Sequence, residues 1–347
     1  MLAAVLRLLA ALLLMCAALA LGALGSAQAL PAELLAFLSN RAQGRYDLYV
    51  LDLKTRLLMR YGAHVDYTSP PTWSPDGRRL AYVAYQDGAG EIMITGLDGQ
   101  PRNISQHPAG DSYPVWSPDG QQLAFVSIRD GNQEIYVADL TTGALTNISR
   151  HLAPDHAPAW SPDGNRLAFV SRRGLSSHVY IYDQTLGMLD VLSGYVAFED
   201  VPVWSPDGRY LAYVSWQNRN TEIMLRDLRA GADINLSQHR GNDNSPAWSP
   251  DSTRLAFWSN REGNLEVYVY ELATGALTNV SRYEGSDSSP VWSPDGTRLA
   301  FVSVQQIGFP DPEIIMVDLT SGARENLTRQ PGARDHNPAW GLAAGWR

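Results

Sequence analysis

The strongest constraint on what this chain can fold into is a tryptophan that returns at nearly constant distance. The phrase Asp-x-x-Pro-x-Trp-Ser-Pro-Asp-Gly, or a close variant, puts tryptophan at Trp73, Trp116, Trp160, Trp204, Trp248, Trp292 and Trp340, spaced 43, 44, 44, 44, 44 and 48 residues apart. A second marker, Leu-Ala-Phe or Leu-Ala-Tyr, begins at Leu35, Leu80, Leu123, Leu167, Leu211, Leu255 and Leu299. A unit of this size cannot bury its apolar face alone, so neighbouring units must stack on one another. Each unit holds four strand-like pieces, such as YPVWS, QLAFVS, EIYVADL and LTNIS, short and rich in β-branched and aromatic residues. Turn formers separate them: Pro118-Asp119-Gly120, then Arg129 to Asn132, then Thr141-Thr142-Gly143. Beyond the first thirty residues no segment sustains a helical period. Four antiparallel strands per unit make the blade of an all-β propeller.

The two markers are out of step, and the offset predicts how the ring closes. Naming the strands A to D from the axis outward, the segment from Leu35 to about Arg60 supplies B, C and D of one blade but no A. The terminal piece Asn337 to Trp340 supplies an A with nothing after it. Pairing the two ends in one sheet gives a seven-bladed propeller with no free edge at the junction. The seven tryptophans then fall at one equivalent place, between neighbouring blades, where each buries ~150–250 Å².

The first thirty residues are a separate object. Arg7 is their only charge, and it precedes the apolar run Leu8 to Gly25 and the small-x-small site Ala27-Gln28-Ala29. This pattern predicts an export signal over 1–29, with an uncleaved membrane anchor as the alternative; residues 30–347 form a single propeller domain. The expected location is therefore periplasmic or extracellular, with the membrane touched only through that segment. Cys16 is the only cysteine, so the mature chain would have no disulfide, thiolate metal site or cysteine nucleophile. The formal net charge of −9 disfavours nucleic acid and favours a partner with a cationic segment. The closed ring is expected to be a monomer.

The run W-S-P-D-G-x-x-L-A-F-V-S, followed by x-R-D-G-N-x-E-I-Y and L-T-N-I-S, resembles the TolB-like (WD-like) β-propeller repeat family. The resemblance covers Leu35 to Trp340. Related repeats occur in tricorn-type proteases and in the propellers of prolyl-oligopeptidase-type peptidases. In TolB itself an α/β domain precedes a six-bladed propeller, whereas seven units are counted here. The resemblance implies that the end of the channel bearing the D–A loops receives a partner's peptide.

No Gly-x-Ser-x-Gly elbow, phosphate loop, His-Glu-x-x-His or EF-hand loop occurs. The repeat does place an acid just before strand A in six units: Asp111, Asp155, Glu199, Asp243, Asp287 and Asp335, with Thr68 in the first. Six carboxylates at the start of the innermost strand are expected to ring one mouth of the channel, raise one another's pKa and concentrate cations. They are equally suited to brace their own D–A loops. His64, His107, His151 and His239 stand four residues earlier, as do Tyr195 and Tyr283, and His–Asp bracing is expected there. Arg41, Arg129, Arg173 and Arg261 share one position after strand B. Acids open strand C at Asp47, Glu91, Glu134, Glu222, Glu266 and Glu313, so cross-strand arginine–acid pairs are expected. The sequons at Asn103, Asn147, Asn235, Asn279 and Asn326 all share one strand D position and read as part of the repeat.

Two loops break the pattern with apolar residues: Tyr195, Val196 and Phe198 before Trp204, and Ile307 and Phe309 in the last B–C loop. D–A and B–C loops lie on one face of a propeller. Tyr195, Phe198 and Phe309 with the acids therefore have the composition of a binding site. The reading is a non-enzymatic binding module for a protein or peptide, without catalytic residues, metal ligands or cofactor. A divalent cation in the channel stays open. The alternative is a propeller hydrolase or lyase acting on sugars or peptides through channel carboxylates, or a peptidase-accessory protein.

Overall fold

The computed structural model describes residues 33–42, 44–174, 176–192, 202–217, 219–282, 285–305 and 311–341. They form seven four-stranded antiparallel sheets, each with its strands in the order A-B-C-D. Blade 3 is representative: A is Asp111–Trp116, B Gln122–Ser127, C Glu134–Asp139 and D Leu145–Asn147. Blade 1 is built from both ends of the chain. Its B strand, Leu34–Ser39, pairs with Asp335–Trp340 as its A strand, from Leu35 opposite Trp340 to Ser39 opposite Asp335. The ring is closed as the marker offset predicts.

Strand B shows why the sequence demands this packing. Both of its faces are buried, because each blade is sandwiched between two others. Leu34, Ala36 and Leu38 pack with Leu80 and Tyr82 of blade 2. The alternate residues Leu35 and Phe37 pack with Ala300, Val302 and Ile314 of blade 7. A near-continuous apolar run is what a strand buried on both faces needs. The repeat tryptophans enter these junctions from strand A. The Trp116 Nε1–H donates to the carbonyl of Thr72 at 3.1 Å and that of Trp292 to Ala247 at 2.9 Å, each one blade back. Trp73 does the same across the closure, to Ala339 at 3.0 Å. Arg79, Arg166, Arg254 and Arg298 cover the rings of Trp116, Trp204, Trp292 and Trp340 from the preceding blade.

Turns are set by the same short code throughout. In Ser117-Pro-Asp-Gly the serine hydroxyl donates to Asp119 and accepts the Gln122 N–H, while Gly120 takes φ 69°. The asparagine ending strand D accepts the N–H three residues on, as Asn147 does from Arg150 at 3.0 Å. The sequon asparagines are thus turn formers. Strand A carries one extra residue against strand B: Ser112 faces Val126 and Val115 faces Ala124. This bulge, with Tyr113 at φ 52°, lets Asp111 and Trp116 both stay in register with strand B.

Candidate functional site

In five blades the described residues place an acid at or next to the first residue of strand A, and the structure shows what it meets. Asp111, Asp155, Asp243, Asp287 and Asp335 are all buried, at 0–2% exposure. In four blades an arginine reaches back to the acid from the B–C loop. Arg129 approaches Asp111 at 3.4 Å, Arg173 Asp155 at 3.1 Å, Arg261 Asp243 at 3.0 Å and Arg41 Asp335 at 3.0 Å. The arginine is itself held in place. The Arg261 Nε–H donates to Ser259, the last residue of strand B, at 2.9 Å, and its guanidinium lies over the rings of Phe257 and Tyr268. Burial pushes the carboxyl groups of Asp111, Asp155 and Asp243 up, against the lowering effect of nearby serine hydroxyls and of the arginine.

These contacts revise three expectations. The B–C arginines pair with the acid of strand A, not with the acid opening strand C. Strand C acids accept instead from hydroxyls at the end of strand D, as Ser105 donates to Glu91 at 2.7 Å, Ser149 to Glu134 at 2.6 Å and Ser237 to Glu222 at 2.6 Å, while Asp47 pairs with Arg60 of strand D at 2.9 Å. The histidines do not pair with the strand A acids. His107, His151 and His239 each accept a backbone N–H two residues on, at 3.0–3.1 Å, through Nδ1. Finally, the upward shifts of the acids come first from burial, and the largest further effects are those of serine hydroxyls, the local arginine and, for Asp287, Glu266.

Three blades lack the arginine, and all three carry glutamine at its position: Gln86, Gln217 and Gln305. In blade 2 the whole arrangement is replaced. Thr68 stands for the acid, Ala84 for the strand B serine, and Gly62 for the strand D serine of blade 1. A side chain at Gly62 would come within 2.7 Å of the Tyr82 ring, which fills that space; burial pushes the Tyr82 hydroxyl up to about 12. In blade 7 the acid, Asp287, is kept without its arginine. Among the described residues neither of its oxygens has a hydrogen-bond partner in good geometry, although the Ser303 and Ser281 hydroxyls lie near it. Burial pushes it up to about 6, and Glu266 adds to the shift while Ser303, Ser281 and Arg324 oppose it.

The face carrying the D–A and B–C loops gathers the exposed aromatic side chains of the described residues: Tyr67 at 51%, Tyr85 at 50%, Tyr113 at 36% and Trp216 at 57%. The exposed large side chains on the C–D turns and outer strands are aliphatic, among them Leu57, Leu97, Leu186 and Ile234. Tyr67 stacks on Tyr46, centroids 4.8 Å apart, and both rings adjoin His336 of the last strand A. Burial lowers the His336 pKa, favouring its neutral form. A cleft of about 510 Å³ lined by Tyr61, His64, Tyr82, Tyr85 and Met93 opens beside this cluster, between blades 1 and 2. Tyr85 and Trp216 occupy equivalent places on the two B–C hairpins with the longest ladders, eight pairs each over Arg79–Gly96 and Tyr210–Asp227, ending with Gln86 opposite Ala89 and Gln217 opposite Asn220.

Segment 1–29, Glu199, Tyr283 and the apolar exceptions Tyr195, Val196, Phe198, Ile307 and Phe309 lie outside the described residues. Tyr85 and Trp216 stand at one repeat position and Tyr67 at the position of Phe198, a recurrence that the sequence offered, whereas Tyr113 stands where other units have Ala157, Ser245, Ser289 or Asn337. The three glutamines leave a signal that was there to read, a shared exception at the arginine position. Among the described residues no group of three or more His, Cys, Asp or Glu is placed to hold a metal ion.

Seven four-stranded blades, inter-blade tryptophans and a B-C-D plus A closure define a WD-like β-propeller. The chain belongs to the TolB beta propeller domain family, whose model matches residues 34–197 and 197–343. A stretch of 34 residues is 50% identical to the Tol-Pal system protein TolB of Hydrogenovibrio crunogenus, spanning 10% of this chain and 8% of that protein. Among solved structures the chain is similar to TolB from Acinetobacter baumannii, with TM-score 0.59 and 21% identity over 85% of this chain and 79% of that one. It is also similar to oligogalacturonate lyase from Vibrio parahaemolyticus, with TM-score 0.65 and 14% identity over 86% of each chain. At these identities the structural likeness is one of fold, and the fold hosts both binding proteins and enzymes.

Proposed function

We propose that this chain is an exported, non-enzymatic binding module that engages a protein or peptide partner with a cationic segment at the D–A/B–C face. The observation that carries the reading is the gathering of Tyr67, Tyr85, Tyr113 and Trp216 on that one face. Exposed aromatics supply large, rigid contact area and dominate the energetics of protein interfaces. The formal net charge of −9 favours a cationic partner through long-range attraction. Export rests on segment 1–29, a charged start followed by an apolar run and a small-x-small site. The relative named as a Tol-Pal system protein points to envelope proteins as the first partners to try. An enzyme of the lyase or hydrolase kind has only the likeness in fold behind it.

The test is capture of partners from envelope extract, with the bound proteins identified by mass spectrometry. Tyr67→Ala, Tyr113→Ala and Trp216→Ala are expected to lose a partner that the parent and a Leu186→Ser control on the opposite face retain. Equal capture by all of them would remove this face from consideration. Turnover of a glycosidic or peptide substrate, abolished by one carboxylate change, would replace the reading with the enzymatic one.

A further inference from the structure

The blade 7 junction keeps most of a guanidinium site while lacking the guanidinium. In blades 1, 3, 4 and 6 the site has four parts. The strand A aspartate accepts from Nη2, and the serine ending strand B accepts from Nε in blades 1, 3 and 6. A carbonyl of the preceding blade, Ser105 or Ser149, accepts from Nη2 in blades 3 and 4. A phenylalanine of strand B lies under the cation. Blade 7 retains the equivalents Asp287, Ser303, Ser281 and Phe301, all buried. The arginine position is Gln305, and the strand C tyrosine is Ile315.

The consequence is a carboxylate at 0% exposure whose two oxygens both lack a hydrogen-bond partner among the described residues. The nearby Ser281 hydroxyl is committed to Glu266. Asp155 and Asp335 each leave only one oxygen in that condition. A buried carboxylate without donors is a costly arrangement that a cation in the right place would relieve. Access is short: the resident arginines of the other blades reach their aspartates with side chains still 11–14% exposed. In those blades the site lies one side chain beneath the surface, and in blade 7 the residue at the arginine position, Gln305, is exposed.

We propose that the blade 7 junction is a receptor for an arginine side chain of the partner, which enters past Gln305 and takes the place that Arg261 fills in blade 6. This rests on the binding-module reading and adds to it the residue type that the partner must present. Arginine fits better than lysine because the acceptors are laid out for a planar fork over a ring, and an ammonium would meet only one or two of them. Arg324 and Glu266 are the charged groups that bear on Asp287.

The experiment is titration calorimetry at pH 7.5 with the peptide acetyl-Gly-Arg-Gly-amide and its lysine counterpart. The arginine peptide is expected to bind the parent about tenfold more tightly than the lysine peptide. Binding is expected to fall at least about tenfold in Asp287→Asn, which removes the charge-assisted acceptor. Gln305→Arg supplies a resident guanidinium and is expected to fold at least as stably as the parent while excluding the peptide. Equal affinity for both peptides, or unchanged binding by Gln305→Arg, would overturn the proposal. The two readings fail separately. If Gln305→Arg still captures the partner while Tyr67→Ala and Trp216→Ala do not, the binding face stands and the arginine receptor falls.

Discussion

The junctions ahead of blades 6 and 7 are built from nearly the same residues, and two substitutions separate them, Gln305 for Arg261 and Ile315 for Tyr268. Asp243 and Asp287 both open strand A, both are fully buried, and both sit near a strand B serine and a strand D serine. At Asp243 the loop supplies Arg261 at 3.0 Å; at Asp287 it supplies Gln305. The first carboxylate is a structural tie between blades, its charge spent on its own chain. The second is a buried acid with no tie, held up to about 6. A repeat can thus turn a scaffold residue into an available one without moving it, by withdrawing its partner.

The largest effect is expected where the tie exists. Asp243→Asn leaves Arg261 as a cation with little access to water, wedged over Phe257 and Tyr268. Breaking a buried pair from one side costs about 3–5 kcal/mol, so the urea midpoint of this variant should fall sharply. A loss below about 1 kcal/mol would mean that the pair contributes little to joining the blades, in the manner of an exposed ion pair.

At Asp287 the opposite sign is expected. Its folded pKa of about 6 lies above the ordinary aspartate value, so the folded state holds the proton more tightly than the unfolded chain does. The stability this confers is complete below about pH 4 and is lost as pH rises through about 6. Asn at 287 stays neutral throughout and escapes that loss. The variant should match the parent near pH 4 and exceed it by up to about 3 kcal/mol above pH 7, a ceiling set by the two-unit shift. Denaturation curves at pH 4.0 and 7.5 decide it; a pH-independent difference would show that Asp287 is solvated or already paired.

This contrast marks where the sequence stops being legible. The seven blades and their closure could be read from Trp73 to Trp340 and Leu35 to Leu299, because a 44-residue period and its offset have one geometric solution. The acids could be placed at the start of strand A, but not the partner of each arginine. From the sequence Arg261 stands nearer to Glu266, five residues on, than to Asp243, eighteen back. Only the fold shows that the B–C loop turns inward over strand A, leaving Glu266 to the hydroxyl of Ser281. The aromatic face was illegible for another reason. Tyr85 and Trp216 share one place in the repeat, in LAYVAYQ and LAYVSWQ, but Tyr67 and Tyr113 stand at other places, and the ring alone collects the four.

The smallest stability effect is expected on blade 5, which like blade 2 has neither tie nor free aspartate among its described residues, and it separates structure from recognition most cleanly. Trp216 stands 57% exposed on the long hairpin of blade 5 and pairs with Thr221 across it. The backbone of that hairpin is already secured by a full ladder from Tyr210 opposite Asp227 to Gln217 opposite Asn220. Replacing the indole with Ala removes little buried surface and no tie between blades, so stability should change by no more than about 0.5 kcal/mol. The same change made at Trp248, which is buried between blades 5 and 6, should cost about 3–5 kcal/mol. If Trp216 serves the partner, its loss appears in capture and not in the melting curve. A Trp216→Ala variant that melts several degrees early would instead place this side chain within the scaffold and leave Tyr67, Tyr85 and Tyr113 to define the binding face.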